Sequence, residues 1–310
     1  MYNVSVSPHV RDKSSTTKIM LDVCIALLPT LAFGVWHFGI NALVIIIASV
    51  LSCVASEIVF ELIVKKPITV FDLSAVVTGL IIALNMPPTV AWWVPVIGGV
   101  FAIIVIKMLF GGIGQNIMNP ALGARCFLLI SFASRMTDFA VDGVSSATPL
   151  AGLKAGESVN LLDMFLGLHN GCIGEVSCAA ILLGFVYLLV RKVISIRIPA
   201  IYIASAMLFI FLLNLPSGIP SSNYMLGQLL TGGLMAGAVF MATDYTTSPI
   251  TKGGQIIFGI LLGFLTAVFR VLGSSAEGVS YAIIISNLCV PLIEKITIPN
   301  AFGMKKKEQV

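Results

Sequence analysis

Ile40–Val64, INALVIIIASVLSCVASEIVFELIV, sets the class of fold. The run is longer than the roughly 20 apolar residues a helix needs to cross a hydrocarbon core, and it stops at Lys65-Lys66, a basic pair of the kind that marks a membrane edge. Similar runs recur on both sides of it, at about 19–38, 71–85, 94–110 and 120–133, and then at about 171–190, 199–215, 226–243, 255–271 and 281–292. Over 310 residues the chain is 58% hydrophobic and 10% charged, with a mean hydropathy of +1.04. Soluble domains do not have that composition. The reading is an all-α polytopic membrane protein of about ten transmembrane helices in a single integral domain, 1–310.

The formal net charge is +4, yet the basic residues stand singly or in short groups at the ends of apolar runs. They read as topology signals, and a nucleic-acid partner is not expected. With ten spans and a cytoplasmic N-terminus, Arg11, Lys13, Lys18, Lys65, Lys66, Lys107, Arg191, Lys192, Arg197, Lys252, Lys295 and Lys305 to Lys307 fall on the cytoplasmic side. Arg135, Lys154 and Arg270 fall outside, and Arg125 belongs to neither count. Both termini are therefore expected in the cytoplasm of a prokaryotic cell. Cys24, Cys53, Cys126, Cys172, Cys178 and Cys289 form no CxxC pair, which argues against a disulfide framework or an iron–sulfur site built by this chain alone.

Two polar stretches interrupt the apolar pattern. Gly111-Gly112-Ile113-Gly114-Gln115-Asn116 leads through Asn119-Pro120 into the fifth run, and such an entry at membrane depth suggests a broken helix. Residues 134–168 form the longest connection, expected outside the cytoplasm, and contain Asp142-Gly143-Val144-Ser145-Ser146-Ala147-Thr148-Pro149-Leu150. Taken alone, those residues read as a turn, though the small neighbours leave the Thr148 hydroxyl accessible. The halves on either side resemble each other. Thr78-Gly79 running to Pro87 has a counterpart in Ala236-Gly237 running to Pro249, and Lys107 before Gly111-Gly112 mirrors Arg270 before Gly273. Five spans per half, an odd number, make the second copy inverted. The division is then a first repeat 1–133, the loop 134–168, a second repeat 169–295 and a tail 296–310.

Ser7-Pro8-His9, Asn119-Pro120-Ala121-Leu122-Gly123-Ala124-Arg125, Ser145-Ser146-Ala147-Thr148, and Met241-Ala242-Thr243-Asp244 followed by Thr247-Ser248-Pro249 together resemble the D subunits of Rnf complexes. The chain is similar also to the B subunits of sodium-pumping NADH:quinone reductases, which carry a longer N-terminal region. The resemblance covers essentially the whole sequence. It implies a ten-helix fold related to urea and ammonium channels, and an FMN joined covalently through its phosphate to the threonine of a Ser/Thr-Gly-Ala-Thr motif. Here that threonine is Thr148, with Ser145, Ser146 and Ala147 completing the site; Ser146 stands where the family usually has Gly. It further implies a flavin transferase for maturation, with FAD as donor, and a place among the other subunits of an ion-translocating ferredoxin:NAD⁺ oxidoreductase in the lipid bilayer. It leaves open whether sodium or protons move and whether a second, noncovalent flavin such as riboflavin binds.

The sequence has no phosphate-cradling GxxxxGK[ST] and no GxGxxG, so the flavin, not a nucleotide site of this chain, would carry the redox chemistry. Asn119 and Arg125 are candidates to contact the cofactor; an arginine at membrane depth costs roughly 2.5–3.5 kcal/mol and needs a carboxylate, phosphate or cavity to face. Asp22, Glu57 and Asp244 are candidates for an ion path. Glu61, one turn after Glu57, has Lys65 at i+4 as an alternative partner. His9, His37 and His169 lack metal-ligand spacing. Two other classes fit the same composition, a urea- or ammonium-type solute channel and a structural scaffold, and covalent flavin separates both from an electron carrier.

Overall fold

The computed structural model describes residues 15–139, 149–154, 159–218, 220–273 and 278–299. Among them there is no strand, and the elements are helices throughout. Helix α1 (Thr16–Phe38) begins where the Ser15 side chain accepts the Lys18 N–H, and ends at Gly39, whose φ of 74° lets the chain reverse into α2 (Ile40–Val64). Then come α3 (Ser74–Leu84), α4 (Trp93–Met108, with π geometry from Phe101 onward) and α5 (Pro120–Ser131). The second half holds α6 (Cys178–Val190), α7 (Arg197–Asn214), α8a (Ser222–Leu230), α8b (Leu234–Met241), α9 (Lys252–Val271) and α10 (Val279–Thr297). Side-chain caps from Asn119, Ser177, Ser221 and Thr251 open α5, α6, α8a and α9.

Helices α1, α2, α7, α9 and α10 are long and apolar enough to cross a membrane, and α8a with α8b makes a sixth such unit if read as one bent span. Their outward faces are apolar, as at Leu28, Trp36, Leu51 and Ile63, which suits contact with lipid. Helix α1 packs on α6, α2 on α3 and α4, α7 on α9, and α5 on α10. Two of these pairings close to backbone contact: a Cβ on Gly99 would lie 2.1 Å from Ser52 Oγ, and one on Gly263 would lie 2.0 Å from Ser205 Oγ. Small residues at such crossings bring membrane helices together.

The breaks differ from the sequence expectation. The Gly-rich stretch at 111–118 is a largely exposed connection, with Gly111, Gly112 and Gly114 at φ 125°, 103° and 86°. Its glycines serve turns, and further breaks lie elsewhere. Helix α3 is only Ser74–Leu84, and α6 begins at Cys178, after the buried, non-helical backbone of residues 171–177. Helices α8a and α8b meet at a bend of 55°, at Thr231-Gly232-Gly233. At both places backbone groups are taken up by partners distant in sequence. Gly174 N–H donates to the Leu84 carbonyl (2.8 Å) and Ile173 N–H to that of Met86 (3.0 Å). At the second break the Cys178 thiol donates to the Leu230 carbonyl (3.2 Å), and Arg270 donates to the carbonyls of Gln228 and Thr231. In lipid, irregular backbone persists only with such partners.

Candidate functional site

Arg125 lies at the meeting point of the two halves. It projects from α5, is 2% exposed, and donates to Asn85 Oδ1 (2.7 Å) just after α3, to Ser280 Oγ (3.1 Å) on α10, and to Glu175 Oε1 (3.3 Å) in the buried 171–177 segment. The carboxylate it was expected to need is therefore Glu175. A charge-assisted network of this kind, closed within the bundle, offsets the cost of taking the guanidinium out of water. Gly233 sits against it: a Cβ there would lie 2.8 Å from Glu175 Oε1.

Asn119 caps α5 by accepting the N–H groups of Ala121 (3.1 Å) and Leu122 (3.4 Å), and its amide donates to the Met241 carbonyl (3.5 Å) at the end of α8b. Asn287 bridges the same region: with its amide turned so that nitrogen and oxygen each face a complementary group, it donates to the Thr247 carbonyl (3.1 Å) and accepts from Asn119 N–H (3.2 Å). The Asn119–Arg125 and Met241–Pro249 motifs, far apart in sequence, thus touch. Between them, α1 and α6 lies an interior cavity of about 90 Å³, lined among others by Thr78, Lys107, Asn116, Asn119, Thr243 and Asp244. Asn116 Oδ1 is buried beside it without a hydrogen-bond partner.

The candidate carboxylates have distinct surroundings. Asp22 is held by Tyr187 OH (2.9 Å) and by both Nε and Nη2 of Arg191 (3.2 Å each), a tie between α1 and α6. Glu57, 1% exposed, pairs with Lys107 Nζ (2.6 Å), which also donates to Ser74 Oγ (2.6 Å). Glu61 does not use Lys65; it accepts the Thr69 N–H and hydroxyl and so fastens the loop after α2. Asp244 accepts only from Thr246 and the Thr247 hydroxyl (3.2–3.3 Å) and has no cationic partner among the described residues.

Ser145, Ser146, Ala147 and Thr148 lie outside the described residues, as does His9. The chain resumes at Pro149, one residue after Thr148, in the short helix Pro149–Lys154. Leu150 and Leu153 are buried, and Lys154 donates to the Gly273 carbonyl (2.7 Å); partial burial pushes its ammonium below the usual lysine range. Pro149 shares a small pocket with His169, Asn170, Glu175 and Gly232. His169 Nδ1 is 3.1 Å from its neighbour's carbonyl at Asn170, and the Val176 backbone also lies against the buried ring. A Cβ on Gly232 would lie 3.0 Å from Arg270 Nη2.

Sequence reasoning singled out Asn119, Arg125 and Asp244 but missed Asn85, Asn116, Glu175 and Ser280. A signal existed for one of these. Glu175 is the sole carboxylate in the apolar run 171–190 and, by its cost there, had to have a cationic partner.

The sequence matches the NQR2, RnfD, RnfE family over residues 3–303. It is 47% identical to the D subunit of the Na⁺-translocating ferredoxin:NAD⁺ oxidoreductase complex of Acetobacterium woodii, across 98% of this chain and 96% of that protein. It is 40% identical to the D subunit of the proton-translocating ferredoxin:NAD⁺ oxidoreductase complex of Clostridium ljungdahlii, across 99% and 97%. With the D subunit of the ion-translocating oxidoreductase complex of Escherichia fergusonii the identity is 34%, across 99% of each. Matched along nearly its whole length, and with the Asn119–Arg125 and Met241–Pro249 motifs meeting inside the bundle, the chain belongs to the NQR2, RnfD, RnfE family.

Proposed function

We propose that this chain is the flavin-carrying membrane subunit of a complex that couples electron transfer between ferredoxin and NAD⁺ to translocation of Na⁺ or H⁺, acting only with its partner subunits. The observation that carries the proposal is the near full-length similarity to D subunits of such complexes. Those two relatives are named for different ions, so the similarity does not choose between sodium and protons.

In this reading FMN is attached through its phosphate to Thr148 by a flavin transferase, with Ser145, Ser146 and Ala147 giving it room. The surroundings of Pro149 suit that group: the His169 imidazole, and Arg270 at the adjoining helix break. The bound flavin supplies one- and two-electron chemistry. The chain's part is to hold it: buried Leu150 and Leu153 anchor the residues that follow Thr148, and the Arg125 network keeps the 171–177 segment, α3 and α10 in register beside them. For a second, noncovalent flavin such as riboflavin, the interior cavity offers Asn116 Oδ1 as an uncommitted acceptor with Asn119 alongside. Asp244, facing the same cavity without a cation among the described residues, is the carboxylate placed to attract one; Asp22 and Glu57 are committed to Arg191 and Lys107.

The architecture behind the proposal is ten spans in two inverted repeats with a channel-like fold. Three correspondences support it. The first helices of the two halves, α1 and α6, pack on each other, as do the last, α5 and α10. The second and fourth helices of each half meet through a Ser–Gly contact, Ser52 on Gly99 and Ser205 on Gly263. Each fourth helix ends in a buried cation that bonds to the third, Lys107 to Ser74 and Arg270 to Gln228. Both termini are cytoplasmic and the Thr148 loop is outside, by the bias of basic residues.

The test is a denaturing gel viewed under ultraviolet light after co-expression with the flavin transferase. Fluorescence should follow the band and vanish in Thr148→Ala. A Thr148→Ala chain that still fluoresces would remove the assignment, and an unlabelled native chain would return the channel and scaffold readings.

A further inference from the structure

Helices α7 and α9 run parallel. A Cβ on Gly259 would meet Ile201, and one on Gly263 would meet Ser205, so both helices start on the same side of the bundle. A groove of about 370 Å³ lies at the two starts, lined among others by Lys192, Ser195, Ser248, Ile250 and Gln255. By the bias of basic residues this side is cytoplasmic.

The groove is ringed by positive charge. Lys192, Arg197 and Lys252 are exposed there, and none is ion-paired among the described residues. Neighbouring carboxylates are engaged elsewhere: Asp22 by Arg191, Asp244 by Thr246 and Thr247, and Glu294 by the Ile250 N–H (3.1 Å). Three like charges around one concavity repel one another, and an anion seated among them removes that cost. Gln255 adds a different demand. Its amide donates to the Pro249 carbonyl (3.3 Å), which leaves Oε1 as a buried acceptor with no partner. An ionised phosphate has no donor to offer it, whereas a headgroup hydroxyl has.

An apolar surface leads away from the groove. Lys252, Ile256, Ile260 and Phe264 recur every fourth residue, all exposed, as one stripe of α9. Arg197, Ala204 and Leu208 form a similar stripe on α7, and the Phe209 and Phe264 rings meet between the helices at 5.3 Å. Ile250, in the groove wall, is 84% exposed. A soluble anion makes no use of that surface; the acyl chains of a lipid do.

We propose that this groove binds phosphatidylglycerol, with its phosphate among Lys192, Arg197 and Lys252, a headgroup hydroxyl on Gln255, and its acyl chains along the α7–α9 face. Nothing in this site depends on the flavin.

The assembled complex, in phosphatidylethanolamine vesicles with a trace of photoactivatable phosphatidylglycerol, tests the site, with labels mapped by peptide mass. Segments 195–208 and 250–264 should be labelled, and unlabelled phosphatidylglycerol should compete at both. Lys192→Gln and Lys252→Gln should each lower labelling about fivefold, the scale of one cation at an anionic surface, while Lys252→Arg should keep it. Phosphatidylmethanol, equal in charge but without headgroup hydroxyls, should compete less well than phosphatidylglycerol in the native chain and equally well in Gln255→Met. Labelling no stronger than on the exposed face of α2, or a parallel fall on α2 in the glutamine variants, means ordinary lipid contact and overturns the site. Labelling of the two segments only after the complex is dissociated also overturns it, because a partner subunit then covers the groove. Competition by inorganic phosphate rejects the lipid in favour of a soluble anion, and equal competition by the two lipids in the native chain rejects the Gln255 contact.

Discussion

Replacing Lys107 with methionine should be among the most damaging single changes in the first half of the chain. Its Nζ is 2.6 Å from both Glu57 Oε1 and Ser74 Oγ, the two charged side chains are 2% and 1% exposed, and Glu57 Oε2 has no other partner. Removing one member of such a pair leaves a buried charge uncompensated, at a cost of about 3–5 kcal/mol. Each 1.4 kcal/mol is a factor of about ten, so the folded-to-unfolded ratio should fall by two to four powers of ten. The double variant Lys107→Met/Glu57→Met removes both charges and keeps comparable bulk, and such replacements are often neutral; it should recover to within about 1 kcal/mol of the native chain. Unfolding in mixed micelles with increasing denaturing detergent, on native, single and double variants, measures this coupling. A double variant as unstable as the sum of its singles would refute the pair as a structural unit. The same variant tests transport: because Glu57 is committed to Lys107, the stable double variant should retain ion-coupled turnover.

Arg125→Met removes the buried guanidinium shared by Asn85, Glu175 and Ser280 and should cost about 3–5 kcal/mol, seen as loss of assembled complex on gel filtration, with Arg125→Gln intermediate. Asp244→Asn should leave covalent flavin intact on a fluorescent gel while slowing electron transfer and ion uptake together; full activity would remove Asp244 from the ion path. Reporter fusions at Lys154 and after Val310 should report opposite sides of the membrane, and the same side for both would mean the spans between them are miscounted.

The class of fold was legible because hydrophobic run length is a direct consequence of bilayer thickness, as Ile40–Val64 illustrates. Where the breaks fall was not. Gly111, Gly112 and Gly114 announced their turns, whereas the breaks after Leu84 and at Thr231–Gly233 are tolerated through groups far away in sequence: Ile173, Gly174 and Arg270. Local composition cannot reveal a partner about ninety residues off. The same limit governs the site. Arg125 announced a need for a counter-charge, but Glu175 and Asn85 as its partners emerge only from packing. Asp22, Glu57 and Asp244 were alike as intramembrane carboxylates; their surroundings separate two that are ion-paired from one that has no cationic partner among the described residues.

Whether electrons pass through a flavin on this chain is decided by ferredoxin-driven NAD⁺ reduction and ion uptake measured on the same membrane vesicles, with native chain and with Thr148→Ala in the assembled complex. Both activities should be lost together in Thr148→Ala while the complex stays assembled. Native rates of NAD⁺ reduction and ion uptake in that variant would contradict the electron-carrier role.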